Sequence, residues 1–82
     1  MPDAKQTLDQ FYLEMRWRTL SLAADFDRVE RAAGGTDVLQ SDPRAEKLRQ
    51  AIRIVLDSKS NRAEQVQMLL SDKTDLPSSN DE

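Results

Sequence analysis

Leu13-Glu14-Met15-Arg16-Trp17-Arg18-Thr19-Leu20-Ser21-Leu22-Ala23-Ala24 carries two apolar stripes at once. One stripe runs through Leu8, Tyr12, Met15, Thr19, Leu22, Phe26, Val29 and Ala33. Its steps alternate four and three, the spacing that keeps one helical face in register. The other stripe is Leu13, Trp17, Leu20 and Ala24. At about 100° per residue it sits on roughly the opposite side. A helix with one apolar stripe packs against one neighbour, and a helix with two is packed from both sides. A chain of 82 residues has little left to cover both, so the second stripe predicts a contact with another copy of the chain.

Working outward, residues 3–33 read as one helix, with no Pro or Gly inside and a continuous stripe. Glu14 and Arg18, and Asp27 and Arg31, are acid-first pairs four apart, each worth a few tenths of a kcal/mol. Gly34-Gly35 ends the helix, because glycine takes the left-handed conformation after a last turn at least cost. Residues 34–42 read as a connector. Asp42-Pro43 starts a second helix, 43–58, with Asp as cap and Pro at the first position. Its broad apolar face is Ala45, Leu48, Ala51, Ile52, Val55 and Leu56, and Ile54 points away from it. Ser58-Lys59-Ser60 reads as a break, and Asn61 with Glu64 fits a capping box opening a third helix over 61–71. There Ala63, Val66, Leu69 and Leu70 share one side. Residues 72–82 read as a disordered acidic tail.

The expected fold is therefore all-α. A single helical domain over 1–71 has a long N-terminal helix and two shorter helices returning antiparallel along it, a helical hairpin. Two hairpins pair into a dimeric four-helix-like bundle. Size argues the same way. A domain this small buries only about 60–65% of its unfolded surface and needs help to be stable. The chain has no cysteine and no histidine, so neither disulfides nor a zinc site of the usual kind supplies it. Oligomerisation is the remaining aid. Lack of cysteine and of an apolar leader fits a cytoplasmic protein, and no apolar run reaches the ~18 residues a membrane span needs.

Composition excludes more than it assigns. The net charge is −3, with 33% charged residues and a mean hydropathy of −0.72. Residues 1–33 carry five basic and six acidic groups, 34–60 five and four, and 61–82 two and five. No segment is basic enough to favour a phosphate backbone. Without His or Cys, the serines lack the usual base, and no Gly-rich phosphate loop is present. The expectation is no enzyme, no cofactor and no metal. Asp25-Phe26-Asp27 resembles a metal motif only as letters, since carboxylates two apart on a helix diverge by about 200°.

The expected interface is Leu13, Trp17, Leu20 and Ala24, extended by Ile54 and by Met68. The alternative is a nucleic-acid or protein contact through Arg44, Lys47, Arg49 and Arg53 on the second helix. Arg16-Trp17-Arg18 offers an aromatic between two cations, but consecutive helical residues face different ways. The functional expectation is a small non-enzymatic, self-associating helical interaction protein, an adaptor, assembly factor or regulator of a protein partner. The alternative is a nucleic-acid-associated regulator.

Overall fold

A computed structural model describes residues 1–71, and the acidic tail expected at 72–82 lies outside the described residues. Four helices follow one another: α1 (Ala4–Arg31), α2 (Gly35–Ser41), α3 (Pro43–Asp57) and α4 (Arg62–Leu69). No strand occurs among the described residues, so the fold is all-helical, as the periodicity predicts. By internal packing the chain divides into two units, Met1–Thr36 and Asp37–Glu82.

The first unit is dominated by the 28 residues of α1, about 42 Å of helix. Its start is a capping box that the letters Asp3-Ala4-Lys5-Gln6 encode. The Gln6 backbone N–H donates to Asp3 Oδ1 at 2.8 Å and the Asp3 N–H donates to Gln6 Oε1 at 2.9 Å. Two of the orphan donors at the helix start are thereby satisfied. Thr19 does not disturb the stripe it interrupts, because its hydroxyl donates back to the Met15 carbonyl at 2.7 Å, the local bond that makes threonine tolerable inside a helix. The helix stops at Arg31, two residues before the expected end. Ala32 is already extended at φ −71, ψ 156, which leaves Ala33 outside the helix. Gly34 takes the expected left-handed backbone, at φ +78.

Residues 34–42 are not the plain connector expected, since Gly35–Ser41 form α2. Seven residues are too few to be helical on their own. A bond from α3 supplies part of the support. The Arg49 guanidinium donates to the Leu39 carbonyl, one of the carbonyls α2 leaves without a partner in its last turn. Asp42 then caps α3, accepting from the Arg44 backbone N–H at 2.8 Å, with Pro43 following it at the first helical position.

The Arg44 side chain also folds back on Asp42, donating from Nε to Oδ1 at 3.1 Å and from Nη2 to Oδ2 at 2.9 Å. The guanidinium bonds first, and the backbone N–H of Arg44 second, hold the Asp42 carboxyl below its ordinary value of 3.8. A depressed carboxyl stabilises the fold above its unfolded pKa, and that contribution is lost as pH falls through the folded value. Asp42→Ala should therefore lower α3 helicity at neutral pH, and the gap to the wild type should close below about pH 4. Circular dichroism followed from pH 7 to pH 2 on both proteins reads this, and a constant gap would contradict it.

α3 and α4 pack on one another, and on α3 burial falls at the two margins of the expected apolar face and just beyond one of them. Ala45 and Ala51 are buried, and Ile54, expected to point away, is half-buried. Leu48, Ile52, Val55 and Leu56 are exposed instead. Ala51, Ile54 and Ser58 share a side of the helix within about 60°, and all three lose solvent exposure. On α4 the half-buried residues are Val66 and Leu69, and the larger apolar residues of α3 stay outside.

The expected capping box at Asn61 does not form. Asn61 sits in the left-handed region at φ 58, ψ 33 and makes no side-chain cap bond. A capping side chain reaches its target N–H from extended backbone. The turn is held from elsewhere: Arg62 Nε donates to the Val55 carbonyl at 2.8 Å and Gln65 Nε2 to the Ser60 carbonyl at 3.0 Å. Asparagine is here for its tolerance of positive φ. Asn61→Ser should cost about 1 kcal/mol and Asn61→Gly close to nothing, whereas a capping role predicts that serine serves as well as asparagine. Denaturant midpoints of the two variants separate the cases.

Candidate association surface

The surface of α1 is built by spacing and bounded by ion pairs. None of its residues is buried. Leu13 is 74% exposed, Trp17 68% and Leu20 48%, while Ala24 is half-buried. These four span about 17 Å of helix and share one side. The first stripe is also open to solvent: Leu8, Tyr12, Met15, Leu22 and Val29 are exposed, and Phe26 is half-buried. Phe11, which neither stripe includes, adds a further exposed ring.

Around the stripes, Lys5 pairs with Asp9 at 3.0 Å, Arg18 with Glu14 at 3.3 Å and Arg28 with Asp25 at 2.6 Å. The Glu14–Arg18 pair is the one the spacing predicts. In the next turns Arg28 and Asp25 form the pair, at a spacing of three. All three pairs are exposed, so they secure solubility and register of the helix more than stability. Arg18 is tied to Glu14, and Arg16 projects about 200° from it. The two cations beside Trp17 therefore do not form one clamp.

Basic residues of α3 likewise fail to converge. Arg44 and Lys47 lie on one side of the helix, and Arg49 and Arg53 on roughly the opposite side. Each arginine has an acidic neighbour: Arg44 meets Asp42 at 2.9 Å, Arg49 meets Glu46 at 3.5 Å and Arg53 meets Glu46 at 3.7 Å. Arg49 is further engaged by the Leu39 carbonyl, a role its place among surface charges did not suggest. Lys47 is half-buried. A phosphate backbone needs several cations on one side, and these four do not provide it.

Neither a family model nor a curated protein nor a solved structure matches the chain. Among the described residues no group of three or more His, Cys, Asp or Glu is placed to hold a metal ion. Asp25 is spent on Arg28, away from Asp27. No helix among them is long and apolar enough to cross a membrane. What stands out among the described residues is exposed apolar side chains within each unit taken by itself: Leu13, Trp17 and Leu20 on α1 in the first, and Leu48, Ile52, Val55, Leu56 and Met68 in the second.

Proposed function

We propose that this chain is a small non-enzymatic interaction protein that associates with a second copy of itself through Leu13, Trp17, Leu20 and Ala24. It then acts on a protein partner as an adaptor, assembly factor or regulator. The observation that carries the reading is the exposure of Trp17 and Leu13 in the middle of a 28-residue helix with nothing buried. Leaving a Leu in water forgoes roughly 1.5–3 kcal/mol, and Trp is enriched where interfaces concentrate their energy. Contiguous apolar surface of this kind marks an interaction site. A dimeric four-helix-like bundle is the arrangement this reading proposes. A reducing compartment such as the cytoplasm suits a chain without cysteine. Sedimentation velocity and light scattering over a range of protein concentrations test it. A dimer that dissociates on dilution is the expected result, and a monomer at every concentration would overturn it.

A further inference from the structure

The second stripe is a palindrome in its spacing. Leu13, Trp17, Leu20 and Ala24 are separated by steps of four, three and four, so the row reads alike from either end. A two-fold pair of antiparallel helices needs that property, because each residue then meets the mirror position of the same row. We infer, building on the self-association proposed above, that two copies of α1 lie antiparallel, with Trp17 against the partner's Leu20 and Leu13 against the partner's Ala24.

Side-chain size supports this orientation. Antiparallel, each layer joins a larger residue to a smaller one, Leu with Ala and Trp with Leu, which fills an interface evenly. Parallel, Trp17 meets the partner's Trp17 and, two layers on, Ala24 meets the partner's Ala24. One layer is overfilled and another is left with a gap, and both faults cost stability.

Charge at the ends of the row points the same way. The next positions along the row are Gln10 before Leu13 and Asp27 after Ala24. In a parallel pair Asp27 faces the partner's Asp27, two like charges at a partly desolvated seam. In the antiparallel pair Asp27 faces the partner's Gln10, whose amide N–H can donate to the carboxylate. At the flanks, Asp9 meets a partner carboxylate in either orientation, Glu30 or Glu14, so the seam decides between them.

The absence of cysteine makes the test clean, since any introduced thiol is alone. Flanking positions serve best, because they leave the four apolar residues in place. The antiparallel register brings Glu14 beside the partner's Ser21. A parallel register brings Arg16 beside the partner's Ser21 instead, by the five-residue offset that joins flanking positions of parallel helices. Glu14→Cys and Ser21→Cys proteins, one carrying a tag, are refolded together and treated with a short bis-maleimide. The same is done with Arg16→Cys and Ser21→Cys, and circular dichroism confirms the helix in each. A dominant crosslinked heterodimer from the first mixture, and little from the second, is expected. A dimer by sedimentation that crosslinks only in the second mixture, or in neither, overturns the register and leaves self-association standing. A monomer by sedimentation overturns both.

Discussion

Trp17→Ala should weaken self-association about a thousandfold. Truncating a central interface tryptophan typically costs 2 kcal/mol or more. In a two-fold dimer the loss occurs twice, and about 4 kcal/mol corresponds to roughly three decades in Kd. Leu13→Glu combined with Leu20→Glu should go further and leave a monomer, because it places two carboxylates per copy in a contact that excludes water. Both changes keep α1 a helix, since Ala and Glu are good helix formers and no α1 residue is buried. Sedimentation should move from dimer to monomer, and because the substituted residues favour helix themselves, any fall in far-UV circular dichroism reports the support that association gives to α1. Trp17 reports on the wild type directly, because it is the only tryptophan. Its emission should shift to the red on dilution as the indole passes from an interface into water. An unchanged association state in both variants would place the contact elsewhere, with the first stripe of α1 or the exposed face of α3 next in line.

What could be read from the letters, and what could not, follows from the range of the forces involved. α1 and α3 were legible because long uninterrupted periodicity and the Asp42-Pro43 start are local signals. The back-bond of Thr19 to Met15 and the Glu14–Arg18 pair are local too, and both are present. The capping box at Asp3 is a local signal as well, carried by the Asp-x-x-Gln spacing. α2 was not legible. Its support includes a guanidinium ten residues away, Arg49 on Leu39, and no window of seven residues contains that partner. Asn61 misled for a related reason: Asn favours both a cap and left-handed backbone, and the Ser58–Ser60 turn selected the second. Ile54 shows the limit of a helical wheel. The wheel finds the larger apolar face of α3, but a wheel ranks residues by hydropathy and burial depends on what lies against them: Ala45 and Ala51 of that face are buried and Ile54 beside it is half-buried, while Leu48, Ile52, Val55 and Leu56 are exposed. For the candidate surface, the stripe itself was plain in the sequence, whereas the half-burial of Ala24 and the splitting of the α3 cations by Asp42 and Glu46 needed coordinates.

Gly35→Ala should destabilise the fold by roughly 1–3 kcal/mol, the usual cost of forcing an extra carbon into a filled site. Gly34 and Gly35 are adjacent, but they are glycines for different reasons. Gly34 has φ +78 and open space where a side chain would go, so its requirement is conformational. Gly35 has no positive φ, yet it is buried. A methyl group there would collide with the backbone carbonyls of Val29 and Glu30, the last turn of α1. Its own N–H donates to the Ala32 carbonyl at 2.8 Å, which holds it close. Backbone cannot swing aside as a flexible side chain can, so the turn 32–35 must open or the end of α1 must unwind. The two causes separate by substitution. At 34, asparagine should be tolerated better than alanine, because Asn accepts the left-handed region where Ala loses about 1 kcal/mol or more. At 35, alanine, serine and asparagine should all be harmful, since the obstacle is the first carbon and not the chemistry beyond it. Thermal melts of Gly34→Ala, Gly34→Asn, Gly35→Ala and Gly35→Asn give the comparison. If Gly35→Ala melts with the wild type, the close approach of the chain at Gly35 to the Val29 and Glu30 carbonyls is not a feature of the folded protein in solution.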